Sequence, residues 1–264
     1  MRVVSFRSLR IVVLLVILAA AAIYTQGQRL STRGWYEPLE MQLFPIAGDT
    51  SPATGTYIES LDESRFAAIE RFFKSEGAGY RLVANRPVSV RIGPTIDAEP
   101  PDPPGPDGGV LSAVWYSLKL RVWAWRVTPA GWGQGDVVRM YLVYRQGEPN
   151  AALPHSLGIE KGLLGVVHLY ADSTQDAQNT VIVAHELLHT VGATDKYDAR
   201  GEPRWPDGYA DPTASPRWPQ KRCEIMAVRI PDSPERSLMP ENLRACTVGR
   251  YTAAEIGWIG DATP

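Results

Sequence analysis

The chain has 264 residues, 44% hydrophobic and 21% charged, enough to bury a full-sized core without repeats or a disulfide scaffold. Basic and acidic residues nearly cancel, 27 against 29 for a net charge of -2, and no lysine- or arginine-rich run occurs. Both facts argue against a nucleic-acid partner. Arg2, Arg7 and Arg10 precede the uncharged stretch IVVLLVILAAAAIY. That order reads as a secretory n-region and h-region, although it falls short of the roughly 20 residues a spanning helix prefers and no small-x-small cleavage site follows Ala22. Residues 1–30 are therefore expected to be a signal peptide or an N-terminal membrane anchor, with a buried core helix as the bland alternative. Either export reading places residues 31–264, one expected domain, outside the cytoplasm, anchored or secreted.

LEMQLFPI (39–46) alternates like a strand, and GDTSPATG (48–55) reads as a turn-rich loop. In DESRFAAIERFFKSEGAG, Asp62 is a candidate N-cap, Phe66, Ile69, Phe72 and Phe73 share a helical face, and Gly77 and Gly79 stop the helix. PVSVRI (87–92) is a short strand, and residues 93–109, rich in proline and glycine, form a surface insertion rather than a domain boundary. VLSAVWYSLKLRVWAWRV (110–127) is ambiguous: Leu111, Trp115, Leu118, Val122 and Trp125 fit a helical stripe, while Leu118, Leu120 and Val122 alternate with Lys119 and Arg121. Helix is favoured, with the stripe as a tryptophan-rich core face and a membrane interface as the alternative. DVVRMYLVYR (136–145) and LLGVVHLYA (163–171) are strands. This order implies an α+β domain, one mixed twisted sheet packed against helices.

The stretch VIVAHELLHTVGATDKYD (181–198) holds two of the four histidines. On a helix, residues i and i+4 share a face about 6 Å apart along the axis, so His185 and His189 can aim two imidazoles at one metal ion. Glu186, about 100° round, is placed to hold a water beside that ion and not to ligate it. Zinc suits neutral imidazoles and leaves a position open for water. Asn179 is a candidate cap, and Gly192 ends the helix where a left-handed residue lets the chain reverse. Asp195 then arrives as a third ligand, with Asp198 and Glu224 as rivals. Among the remaining candidates, His168 sits in the strand before this helix, His155 reads as a loop residue, and Asp207 and Asp211 read as turn acids rather than a calcium site. Cys223 and Cys246 are the only cysteines, and in an exported chain they permit a disulfide worth about 3 kcal/mol, the alternative being two buried thiols.

The spacing HExxHxxGxxD, carried by His185, Glu186, His189, Gly192 and Asp195, resembles the metzincin metallopeptidases, whose usual third ligand is histidine. Aspartate there resembles the snapalysin branch of small secreted zinc endopeptidases; Glu224 as the ligand would make the site gluzincin-like. The resemblance further implies a methionine turn, for which Met226 in RCEIMAVRI matches in order and Met239 is the weaker candidate. It also favours the Cys223–Cys246 pairing, and a closing helix in RYTAAEIGWIG with Thr252 and Glu255 as a capping box. It makes the His168 strand the sheet edge that pairs with an extended substrate. The implied fold is zincin-like, and the implied activity is a peptide-bond hydrolase with one catalytic Zn2+ and Glu186 as general base. The implied partner is a peptide or protein substrate, with membrane contact through the N-terminal segment if it stays uncleaved. Two rival readings share the ligands: a zinc-stabilised cell-surface binding module, which does not need Glu186, and a zinc amidase acting on cell-wall peptides.

Overall fold

The computed structural model describes residues 10–16, 19, 27, 32–105, 108–147, 156–159 and 163–260. Most of the leader thus lies outside the described residues, as does His155; residues 10–16 are helical. Among the described residues no helix is long and apolar enough to cross a membrane.

The chain runs β1 (Leu39–Ala47), α1 (Pro52–Glu59), α2 (Ala67–Gly79), β2 (Val88–Ile92), α3 (Val110–Val127), β3 (Val138–Arg145), β4 (Leu157–Ile159), β5 (Leu164–Tyr170) and α4 (Asp176–Thr190). The short elements β6 (Cys223–Glu224), β7 (Ile230–Ser233), β8 (Arg236–Leu238), β9 (Cys246–Thr247) and α5 (Arg250–Glu255) follow. One five-stranded sheet has the order β2-β1-β3-β5-β4, in which β4 alone is antiparallel to its neighbour. The expected mixed sheet is present, and β5 is its edge only beyond Val166, where no described strand pairs with it on that side. The short strand β4 covers the first part of β5, pairing Leu157 with Val166 and Ile159 with Leu164.

The central strands are buried on both faces, which is why β1 and β3 read as near-continuous apolar runs. On one face Met41, Leu43, Met140, Leu142, Val167 and Leu169 pack with α2, α4 and the C-terminal segment. On the other, Phe44, Ile46, Tyr141, Val143, Leu164 and Val166 pack with Tyr116, Leu120 and Ala124 of α3. The result is a three-layer arrangement in which, among the described residues, α3 is the one helix of the second cluster.

Four local expectations need correction. Residues 48–55 are not all loop, because Pro52 begins α1: its fixed φ and missing N–H suit the first helical position. Asp62 does cap, accepting from Ser64 N at 2.8 Å, but it starts a 3-10 turn (Glu63–Phe66) ahead of α2. Residues 110–127 are helix as expected, yet the stripe chosen as the core face points outward, with Leu111 85% and Trp125 76% exposed. Apolar residues occupy both sides of α3, so periodicity alone could not choose between them. The inner side packs Tyr116, Leu120 and Ala124 against the sheet, with Trp123 edge-on to Tyr141 at 4.7 Å. Finally, Thr252 lies inside α5 and is fully buried rather than capping it.

Candidate metal centre

The first turn of α4 is tied down before the site begins. Tyr57 of α1 donates to Asp176 Oδ1 at 2.6 Å, and Arg65 Nη1 reaches Asp176 Oδ2 at 2.8 Å. Asp176 also places an acid where the helix dipole favours one. Asn179, the expected cap, sits one turn inside, where its amide donates to Tyr170 O at 2.9 Å and locks α4 to β5. Val181, Val183, Ala184, Leu187 and Leu188 bury the helix so completely that His185 and Glu186 are only 4% and 5% exposed.

Gly192 ends this run with φ +100, a backbone state that other residues adopt only under strain. The reversal returns Ala193 toward the helix: Ala193 N donates to Leu188 O at 3.0 Å, and Ala193 O faces His189 Nδ1 at 2.9 Å. The next residues are clamped from two directions. Lys196 N donates to Met226 O at 2.9 Å, and Glu255 of α5 accepts from Thr194 N at 2.9 Å and from Lys196 Nζ at 2.6 Å. Lys196, 2% exposed, is buried with its charge paired.

Asp195 is thereby held over the two imidazoles. His185 Nε2 and His189 Nε2 are 3.0 Å apart, and Asp195 Oδ1 lies 3.3 Å and 3.1 Å from them. Each Nδ1 faces a backbone carbonyl, Ile225 O for His185 at 3.1 Å and Ala193 O for His189. That assigns the ring hydrogen to Nδ1 and leaves Nε2 a bare lone pair. Three acceptors then converge with no donor hydrogen bond at buried Asp195 Oδ1. Such a cluster is repulsive without a cation at its centre. Ligand atoms at about 2.0 Å from a tetrahedral ion are about 3.3 Å from one another, close to the observed triangle. His185, His189 and Asp195 thus form a group able to hold a metal ion. Without one, a proton on His189 meets the same demand for positive charge. Burial opposes ionisation of Asp195, but His185 and His189 hold its carboxyl well below the usual range; burial likewise opposes a charged His189, while Asp195 and Glu186 raise its pKa.

The rival ligands have other partners. Asp198 accepts from Arg200 N and Glu202 N in its own turn. Glu224, fully buried, accepts from Met226 N at 2.6 Å, Gly249 N at 3.0 Å and Thr252 Oγ1 at 2.7 Å. Burial pushes its carboxyl up to about 7, against those bonds and Lys196. It braces the 223–228 turn against the start of α5. That turn supplies the carbonyl of Ile225 to His185 and the carbonyl of Met226 to Lys196, with Met226 itself fully buried. Met239 is elsewhere, at the rim of the cleft. Asp211 closes its own turn through Thr213, and Asp207 lies 3.7 Å from Arg204, which fits the turn reading of both.

β6 and β9 pair Cys223 with Cys246, and both cysteines are buried and free. Their sulfurs are 2.8 Å apart, so the expected disulfide is not formed here, although the strands bring the thiols face to face.

A cleft of about 290 Å³ opens beside the triangle, lined by His185, Glu186, Asn179, His168, Tyr197 and Met239 among others. Burial and Arg145 lower the His168 pKa to about 4, so its ring stays neutral. Tyr197 was not singled out in the sequence. Its ring stacks on His185 at 6.4 Å, and burial, with Asp195 and Glu186 nearby, raises its hydroxyl pKa. Its place two residues after Asp195 was the available signal. The chain matches no protein-family model and no curated protein.

Proposed function

We propose that the protein is a zinc-dependent endopeptidase of the metzincin type, closest in its motif to the snapalysin branch and working outside the cytoplasm. The observation that carries this reading is the triangle of His185 Nε2, His189 Nε2 and Asp195 Oδ1, with Glu186 in the same cleft. Neutral imidazoles with one carboxylate suit zinc, and three protein ligands leave the open position typical of catalytic rather than structural sites. Bound zinc supplies Lewis acidity, lowering the pKa of water and polarising a carbonyl. Glu186 takes the proton from the attacking water and delivers it to the leaving amine nitrogen. The His185 and His189 rings keep their orientation because Ile225 and Ala193 hold each Nδ1 hydrogen. An extended peptide can find its backbone partner along the sheet margin beside the cleft, at β4 or at the part of β5 beyond Val166, which lines the cleft with His168 and Tyr170. The retained Glu186 favours catalysis over a purely structural zinc module.

Replacing Glu186 with Gln preserves shape and removes the base. Zinc content should stay stoichiometric while hydrolysis of a peptide library falls by about 10²-fold to 10⁴-fold. A zinc-loaded Glu186→Gln protein with undiminished activity overturns the mechanism, and a wild-type protein that binds zinc and cleaves nothing in the library returns the site to the binding-module reading.

A further inference from the structure

The outward side of α3 has no role in the metal centre, and its composition is unusual for a water-facing surface. Val110, Leu111, Val114, Trp115, Leu118, Val122 and Trp125 are all exposed. With about 100° between successive residues, they form one strip centred on Leu118. Exposed bases, Lys119 and Arg126, border the strip on one side, while Arg121 on the other is half-buried. The helix contains no acidic residue. The strip cannot turn inward, because Tyr116, Leu120 and Ala124 on the opposite side are packed against the sheet. Contiguous exposed apolar surface rimmed by charge marks an interaction face.

We propose that this face lies in the interface of an anionic lipid bilayer, with α3 parallel to the membrane plane. Charge complementarity selects this occupant. A second copy of the chain laid antiparallel, strip to strip, would bring Lys119 and Arg126 against their own kind, whereas anionic headgroups meet these two bases while the strip enters the acyl boundary. Tryptophans at two points along the strip suit the headgroup level, where an indole has one apolar and one wet side. The helix, about 27 Å long at 1.5 Å per residue, lies flat rather than spanning, since its other side is part of the core. α4 packs on the far face of the sheet, so a bilayer under α3 leaves the cleft-bearing helix uncovered. The inference is independent of the peptidase reading.

The test uses the full-length chain in vesicles of phosphatidylcholine with phosphatidylglycerol, so that any N-terminal tether is common to all samples. Nitroxides are placed at Leu118→Cys, at Trp125→Cys and, as a control, at the exposed Lys221→Cys; the buried native thiols are checked for non-reaction in the unsubstituted chain. Labels at 118 and 125 should collide with oxygen several-fold more, relative to a water-soluble nickel chelate, than the label at 221, and this preference should shrink in vesicles of phosphatidylcholine alone. Nickel access at 118 and 125 equal to that at 221 overturns the proposal. Immobile labels reached by neither reagent overturn it in favour of a protein contact, and an oxygen preference unaffected by phosphatidylglycerol overturns the anionic selection.

Discussion

Replacing Glu224 by Ala tests whether that residue is a brace, as its geometry shows, or a ligand. The substitution strips acceptors from Met226 N, Gly249 N and Thr252 Oγ1 in a place where water does not reach. The hydroxyl can rotate to another acceptor, but the two backbone N–H groups cannot. At about 1–3 kcal/mol for each buried donor left unsatisfied, the loss is about 2–6 kcal/mol, a large part of an ordinary domain's stability. Glu224→Gln should cost less. Its oxygen still serves Gly249 and Thr252, and only Met226 N meets a donor instead of an acceptor. A second readout is pH. With a folded-state pKa of about 7 against an ordinary 4.5, the folded protein holds more protons than the unfolded chain between those values. Stability should therefore fall by about 3 kcal/mol as pH rises from 4.5 to 7, then level off, and the Gln variant should lose this slope. Urea unfolding of metal-free protein across pH gives both quantities, and metal analysis of the folded fraction completes the test. A destabilisation below about 1 kcal/mol for Glu224→Ala would refute the brace. A folded variant with an empty metal site would make Glu224 a ligand after all.

Asp195→Ala should fold and lose zinc affinity by more than the roughly 100-fold typical of losing a residue that merely orients a ligand, measured by competition with a chelator; retained affinity would remove Asp195 from the ligand set. Gly192→Ala forces a side chain onto φ +100 and crowds the Arg33 guanidinium, so about 1–3 kcal/mol of stability should be lost by thermal or urea unfolding, and an unchanged midpoint would show that the turn relaxes freely. Protein recovered from an oxidising compartment should show Cys223 and Cys246 blocked to thiol labelling under denaturing, non-reducing conditions, since the strands already place the sulfurs 2.8 Å apart; two reactive thiols there would exclude the bond.

What could be read from the sequence was what obeys a period or a fixed spacing. The placement of His185 and His189 follows from the helical repeat alone, and Gly192 announces the reversal because few other residues tolerate it. Asp195 was legible as the favoured third ligand from its place three residues after Gly192, though Asp198 and Glu224 stayed open as rivals. What separates it from Asp198 and Glu224 is long-range: the contacts of Lys196 and Thr194 with Met226 and Glu255 aim the loop at the imidazoles, whereas three donors from residues 226–252 draw Glu224 away. No local pattern encodes such contacts. α1 was missed because Pro52 and Gly55 weigh as breakers when counted by composition, although proline at a first helical position is a start signal.

The misassigned side of α3 has a different origin, and it bears on function. Periodicity reports which residues share a face and stays silent on what that face meets. When both faces are apolar, the larger one looks like the core, and here the larger one holds the exposed tryptophans. The inward side, Tyr116, Leu120 and Ala124 with Trp123, packs on Phe44 and Tyr141, so aromatic bulk stands on both sides and could not mark the core face. The side that carries Leu111, Trp115, Leu118 and Trp125 is left outside. A surface that keeps Leu111, Trp115, Leu118 and Trp125 exposed beside Lys119 and Arg126 has a cost in solubility, and a face docked in a bilayer removes it.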